Sequence, residues 1–351
     1  MEGITDRFNQ VLTDHNDKGV KLRRYQLLTP LGEGGEGSVY SALDEWHHSE
    51  DWDTKYVAIK LLESSIPPDR VKHNVRRFSE EAGIFLQEAL TLDGLEHSNI
   101  IKLLNFGVDW NLGVFYMVMR RATGSLKDSI MKRRCIDPKE AVNYTMNAAS
   151  ALQFTHEHGT IHGDVKPGNL LFFGIENWIL LSDFGIARIK QEIYDKPERN
   201  FKGTPGYSPP EQVKGEPTKL SDQWALAFTI SEALTGKRPF TQENLLALAA
   251  GKNVSPLSFK ELGITDAVHL EMEKILRRGL EPKQDERFPE ISNFSEQLTI
   301  AYTSTTTDPA KHYYLSANLS DKTVDIPTPQ TPLPLFEIAK TETNPSLHVT
   351  Q

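Results

Sequence analysis

The sequence predicts an α+β fold in two lobes: an antiparallel β-sheet lobe with one main helix, followed by a mostly helical lobe. Three observations predict it. Between Tyr25 and Met119, short runs rich in β-branched and aromatic residues alternate with turn residues, interrupted once by a helical stretch at about 76–94. Past Met119 the runs lengthen into helical patterns such as 138–158 and 221–235, separated by loops rich in Gly and Pro. The 351 residues, 38% hydrophobic and 25% charged, suit a soluble globular protein of about two units with a core of useful size.

Residues 1 to about 24 are polar and charged, and DHNDKG at 14–19 has the start of a calcium loop. It fails as one, because Lys18 and Tyr25 stand where an acidic side chain and a bidentate Glu are needed. Strand patterns follow: YQLLTPL, a glycine turn, SVYSAL, a polar loop through the 40s and 50s, and KYVAIKLL. In the helical stretch, Phe78, Phe85, Leu86, Ala89 and Leu92 lie near helical spacing, and IIKLLNFGV and GVFYMVM read as two further strands. After about residue 302 the chain turns to Thr and Pro, with little apolar material to bury, which predicts a flexible tail of polyproline character.

Charge and composition exclude several function classes. Lys plus Arg number 39 against 48 Asp plus Glu, a formal charge of −9, and no segment is basic over more than a few residues, so nucleic acid is not an expected partner. No run of 18 or more apolar residues occurs and MEGITDRFNQ has no apolar stretch of signal-peptide type, so no membrane span is expected and the expected location is cytoplasmic. The single Cys135 lacks the partners of a disulfide or zinc site and reads as structural. His156, His158 and His162 read as hydrogen-bonded structural groups rather than a metal cluster.

Three motifs carry chemistry. Gly32-Glu-Gly34-Gly-Glu-Gly37-Ser-Val39 sits between two strand patterns, where glycines let backbone amides approach phosphate oxygens. Alone it is weak, since at roughly 7% glycine it arises by chance in about one such chain in ten. The strand pattern after Gly37 excludes a dinucleotide-binding turn, which needs a helix there. In Val57-Ala58-Ile59-Lys60 an alternating strand ends on Lys, and Glu88 on the helical stretch is an available partner that would hold the ammonium toward phosphates. The third cluster is Ile161-His162-Gly163-Asp164-Val165-Lys166-Pro167-Gly168-Asn169-Leu170-Leu171, followed by Ser182-Asp183-Phe184-Gly185. It supplies a carboxylate to orient a hydroxyl, a cation to neutralise a moving phosphoryl group, and an amide with a second carboxylate as hard oxygen ligands for magnesium.

Together, in this order, the three motifs resemble the eukaryotic-type serine/threonine protein kinase family, from about Tyr25 to Phe294, and the strings Pro209-Pro210-Glu211-Gln212 and Glu232-Ala-Leu-Thr-Gly-Lys-Arg-Pro-Phe240 look most like its bacterial members. The resemblance implies an enzyme that moves the γ-phosphoryl group of ATP to Ser or Thr hydroxyls of a protein, with magnesium, or manganese as the alternative ion, and with autophosphorylation as an option. It implies a domain over 25–301, its first lobe 25–119 and second 120–301, flanked by an extension, 1–24, and a tail, 302–351. By the same resemblance Gly32, Gly34 and Gly37 cover the phosphates, Lys60 contacts the α- and β-phosphates, and Glu88 pairs with Lys60. Asp164 is similar to the catalytic base, Lys166 to the γ-phosphate lysine, and Asn169 and Asp183 to the metal ligands. Leu31, Val39, Ala58 and Leu171 would sandwich the adenine. Met119 would be the gatekeeper, and the backbones of Arg120 and Ala122 would meet the adenine edge.

Gly203-Thr204-Pro-Gly-Tyr207-Ser-Pro-Pro210-Glu211 resembles the family's substrate-docking segment. Glu211 is expected to pair with Arg287, and Asp222 to brace the loop around Asp164. Two places depart from the pattern: Ala225-Leu-Ala227 stands where the family helix usually has Gly, a mild change, and Gly163 stands where the family has the Arg that receives an activation-loop phosphate. Activity without loop phosphorylation is therefore expected, because that Arg takes no part in the chemistry. The alternative is a kinase-shaped scaffold without turnover, disfavoured because Lys60, Glu88, Asp164, Lys166, Asn169 and Asp183 are all present. A small-molecule phosphotransferase is disfavoured by the segment from Gly203 to Glu211.

Overall fold

The computed structural model describes residues 21–34, 37–46, 55–174, 178–184 and 206–306. The extension up to residue 20, the tail beyond 306, and Glu36, Gly185, Gly203 and Thr204 lie outside the described residues.

The first lobe is a six-stranded antiparallel sheet of β1 (Lys21–Leu22), β2 (Tyr25–Gly34), β3 (Gly37–Asp44), β4 (Tyr56–Glu63), β5 (Leu103–Asp109) and β6 (Val114–Arg120), in the order β1-β2-β3-β4-β6-β5. Its main helix is α1 (Val75–Asp93). Period-two alternation decides what each face carries. On β4, Val57, Ile59 and Leu61 join Leu22, Tyr40, Tyr116 and Val118 on one face. Ala58 and Leu62 point the other way, into a cluster with Phe115, Met117, Met119 and the helix. Lys60 shares this second face by parity and is buried. The apolar stripe of α1, Phe78, Ala82, Phe85 and Ala89, is buried here. Phe115 stacks between Phe78 and Phe85 with ring centroids 5.4 and 5.2 Å away. Burial of each such ring contributes about 1.5–3 kcal/mol.

The short strand β1 lies inside the segment expected to be an extension. Leu22 is fully buried and pairs with Tyr25 across a turn in which Arg23 takes φ 54°.

The second lobe holds a three-stranded sheet, β7 (Gly124–Ser125), β8 (Leu170–Phe173) and β9 (Trp178–Leu181), in that order. Its helices are α2 (Leu126–Arg133), α3 (Pro138–Glu157), α4 (Pro210–Val213), α5 (Lys219–Thr235), α6 (Gln242–Ala249), α7 (Ala267–Gly279) and α8 (Ile291–Thr305). A capping box of Asp137 and Glu140, with Pro138 in the first turn, starts α3. Helix α5 is buried on nearly every side, and its Ala227 lies so close to Gly279 of α7 that a Cβ on that glycine would stand 2.9 Å from it. It ends at Gly236, φ 68°, where a Cβ would stand 2.3 Å from the Arg134 carbonyl oxygen.

The last helix runs past the point where a flexible tail was expected. Tyr302 and Thr303 are buried, and the Thr303 and Thr305 hydroxyls donate to the carbonyls of Thr299 and Ala301 one turn back. Hydroxyl-rich sequence is thus helical here because tertiary packing covers it.

The segment between α1 and β5 is tied to the second lobe. Ile101 N donates to Leu181 O, 3.0 Å, Leu181 N to Asn99 O, 2.8 Å, and Asn99 Nδ2 to Ile179 O, 3.1 Å. Among the described residues no helix is long and apolar enough to cross a membrane.

Candidate active site

The segment from Ile161 to Asn169 is extended and turn-like, so its polar groups must find partners outside a ladder. Asp222, buried in the first turn of α5, supplies several. Its carboxylate accepts from His162 N at 2.9 Å, Gly163 N at 2.8 Å and His156 Nε2 at 2.8 Å. His162 is fixed from both sides of its ring. Nδ1 accepts from Asp164 N at 3.1 Å, so Nε2 carries the proton and donates to Ser182 O at 2.9 Å. The ring also packs against Phe184, centroids 4.3 Å apart. His158 bonds the Phe154 carbonyl, so each of the three histidines has a structural partner of its own.

This frame brings Asp164, Lys166 and Asn169 together. Lys166 Nζ stands 2.6 Å from Asp164 Oδ2. Asn169 Nδ2 donates to the same oxygen at 3.0 Å and to the Asp164 carbonyl at 2.8 Å. The amide therefore turns its nitrogen to Asp164 and leaves its oxygen as the group a cation could use. Ser182 N donates to Asn169 O at 3.0 Å, which sets Asp183 beside Asn169.

Asp183 takes φ 68°, a left-handed conformation that Asp tolerates better than most residues. Its Oδ1 lies 2.9 Å from Lys60 Nζ. A lysine on the covered face of a sheet needs an anion, and one from the other lobe provides it. Glu88 lies half-buried on α1 beside the buried Ala89, on the sheet-facing stripe.

At the glycine turn, Gly34 pairs with Gly37 across β2 and β3. Gly37 has φ 126°, and a Cβ there would stand 2.3 Å from the Leu61 carbonyl oxygen, whereas a Cβ on Gly32 would meet nothing within 4 Å. Only the first requires glycine for the fold; the second leaves open space at the mouth of the site. Val39, Ala58, Met119, Ala122 and Leu171 all belong to the apolar cluster behind this turn, and Met119 pairs with Ala58 across the sheet. Leu31 is half exposed and Arg120 exposed, at its edge.

Below the site, Glu211 and Arg287 form a buried bidentate pair at 2.7 and 3.0 Å. Tyr207 donates to Glu232 Oε2 at 2.6 Å beneath Arg238, and burial pushes its hydroxyl pKa well above the usual tyrosine range.

The protein kinase domain family matches residues 25–298. The chain belongs to the protein kinase family. Among curated members, the serine/threonine-protein kinase PrkC of Bacillus subtilis is 35% identical over 228 residues, 64% of this chain and 32% of the relative. A probable serine/threonine-protein kinase of Clostridium acetobutylicum is 26% identical over 282 residues, 80% of this chain and 40% of that one. The chain thus spans about a third of the length of PrkC and two fifths of the second relative. Among solved structures, the PknI kinase domain of Mycobacterium tuberculosis is similar with a TM-score of 0.55 at 23% identity, covering 81% of this chain and 98% of that one. A double mutant of that domain gives a TM-score of 0.60. These likenesses establish the two-lobed kinase fold.

Two buried polar residues of this kinase fold escaped the sequence reading. Glu81 accepts from Ser64 Oγ at 2.6 Å, from Ser65 N at 3.1 Å and from Ser65 Oγ, with Arg77 3.6 Å away. In sequence it looks like one of a solvated Glu80-Glu81 pair, yet it falls on the stripe of Phe78, Ala82 and Phe85, a signal that helical spacing does contain. Gln212 is buried and donates from Nε2 to Gly163 O at 2.5 Å. It closes the Pro209-Pro210-Glu211-Gln212 string that resembles the bacterial members, but nothing local announces its contact, because the partner is 49 residues away.

Proposed function

We propose that this chain is an ATP- and magnesium-dependent protein kinase that transfers the γ-phosphoryl group to Ser or Thr hydroxyls of a protein substrate. The observation that carries the reading is the convergence of Lys166 and Asn169 on one oxygen of Asp164, with Asp183 paired to Lys60 beside them. Asp164 orients the attacking hydroxyl and accepts its proton. Lys166 neutralises the phosphoryl group in transit, and Lys60, steadied by Glu88, contacts the α- and β-phosphates. The adenine would lie in the apolar cluster formed by Val39, Ala58 and Leu171 with Leu31 at its edge, Met119 behind, and the backbones of Arg120 and Ala122 on its polar side. The open space at Gly32 leaves room for phosphates against backbone amides of the glycine turn, which the paired Gly34 and Gly37 close.

The oxygen donors of Asn169 and Asp183, on segments joined by the Ser182 N to Asn169 O hydrogen bond, would hold magnesium, with manganese as the alternative; when bound, the ion neutralises phosphate charge. Serine/threonine specificity is supported by Lys166 and by the names of the bacterial relatives. Gly163 in place of Arg supports activity without a phosphorylated activation loop.

The test is transfer of labelled phosphate from ATP with magnesium onto a generic basic protein and onto the chain itself, with Asp164→Ala alongside. Incorporation as phosphoserine or phosphothreonine, lost in the variant, is the expected result. No incorporation, with ATP binding shown by a thermal shift, would return the scaffold reading.

A further inference from the structure

We infer that Gln212 is a positioning residue for Asp164, linking the anchor of the docking segment directly to the peptide that precedes the Asp. The inference rests on the role proposed above for Asp164. Position 163 is held from two helices at once: Gly163 N donates to Asp222 Oδ1 on α5 at 2.8 Å, and Gly163 O accepts from Gln212 Nε2 on α4 at 2.5 Å. That carbonyl belongs to the 163–164 peptide, whose N–H donates to His162 Nδ1 at 3.1 Å. Both polar groups of this peptide are therefore engaged, so its plane, and with it the exit of the Asp164 side chain, is fixed. Gly163 takes φ 73°, a conformation that costs a residue with a Cβ but not glycine.

Helix α4 is itself immobilised. Glu211, the neighbour of Gln212, accepts two hydrogen bonds from Arg287 and one from Ser221 Oγ at 2.9 Å. The chain of contacts runs from Arg287 through Glu211 and Gln212 to the Gly163 carbonyl and so to Asp164. Gln212 is 2% exposed, and only an amide or another donor serves at its place. A leucine would leave the carbonyl unpaired, and a carboxylate would set acceptor against acceptor. Through this contact the docking segment orients the reacting carboxylate without a phosphate and an arginine between them.

The full chain is tested as wild type, Asp164→Ala, Gln212→Leu and Gln212→Glu, reading kcat and KM for ATP and a Ser-containing peptide, thermal midpoints, and amide hydrogen exchange of the 162–165 segment. Both Gln212 variants are expected to lose about tenfold or more in kcat, with KM for ATP within about twofold, as for an interaction used in transfer and not in nucleotide binding. Exchange of the Gly163 and Asp164 amides should rise about tenfold, with the rest of the lobe unchanged. A kcat within about twofold of wild type with unchanged exchange at 163–164 would overturn the inference. So would exchange raised across the whole lobe in both variants, the mark of a merely structural role. If the wild type transfers no phosphate, the proposed function fails, while the exchange measurement still decides whether Gln212 holds the peptide.

Discussion

Lys60 and Asp183 form an ion pair between the lobes, Nζ to Oδ1 2.9 Å, with the lysine side chain 3% and the aspartate 17% exposed. The pair joins the core face of β4 to the chain just after β9, so the first lobe cannot rotate on the second without separating two largely desolvated charges. Breaking such a pair by removing one partner typically costs about 3–5 kcal/mol, because the other charge stays buried. The charges that would grip phosphates and metal thus also set the distance between the lobes.

Lys60→Ala and Asp183→Ala are each expected to remove most phosphoryl transfer, about a hundredfold or more, while far-ultraviolet circular dichroism shows the fold retained. Activity near wild type in either variant would contradict the roles assigned to the pair.

Gly163 should make the kinase indifferent to the phosphorylation state of its own loop. Equal activity of phosphatase-treated and untreated protein is the expected result, and a collapse of activity after treatment would contradict it. Gly163→Ala has steric room, since the nearest atom to its Cβ would be Gln212 Nε2 at 3.9 Å, but φ 73° must be kept. The cost of that conformation is about 1–2 kcal/mol, which a thermal melt detects as a fall of a few degrees.

How much of this was legible in sequence depends on the range of the interaction. Period-two and helical spacing mark β2 to β6 and α1 to within one or two residues at most ends, because local burial decides them, whereas β1, β7, β8 and β9, of two to four residues each, are too short to show a period. The motif residues Asp164, Lys166 and Asn169 lie within six positions, so their convergence follows from one short loop. What escaped depends on distant partners. Glu81 looks solvated until Ser64 and Ser65 fold back on it, and Gln212 looks like a polar helix residue until Gly163 arrives from the other side. The end of α8 was misjudged because Thr and Ser disfavour helix in isolation, whereas here Leu298 and Tyr302 pack and the hydroxyls bond one turn back.

Glu81 fastens the turn after β4 to the first half of α1, and it stands seven residues, two helical turns, before Glu88. Glu81→Ala leaves the Ser65 N–H without its acceptor and should cost about 1–3 kcal/mol of stability. Because the freed turn also lets α1 rotate, kcat should fall by more than the loss of folded protein accounts for. A variant with reduced melting temperature but unchanged kcat per folded molecule would show that the contact serves stability alone.

His97 predicts a pH effect. Its Nδ1 accepts from Asn99 N at 3.0 Å and its Nε2 meets Ser150 Oγ at 3.2 Å on α3, so the neutral ring joins the segment after α1 to the second lobe. Burial lowers its pKa below the usual 6.5. The unfolded chain then binds a proton at a higher pH than the folded one, so this contribution to stability is complete above about pH 6.5 and declines as pH falls below it. Melting curves between pH 8 and 5 should show a downward slope below pH 6.5 that is shallower in His97→Gln. Parallel slopes for the two proteins would rule the effect out.

The two glycines of the turn separate fold from ligand. At Gly37 a Cβ would overlap the Leu61 carbonyl oxygen, and φ 126° is one that L side chains rarely adopt, so Gly37→Ala must distort the pairing of β3 with β4, the strand that carries Lys60. Its melting temperature and its ATP affinity should fall together. At Gly32 the same methyl group meets no protein atom, so Gly32→Ala should melt within a degree or two of wild type. Any rise in its KM for ATP therefore reports contact of the added methyl with the bound nucleotide and not a damaged fold. If Gly32→Ala alters neither property, the phosphates do not pass close to Gly32, and the covering role falls to the turn nearer Gly37.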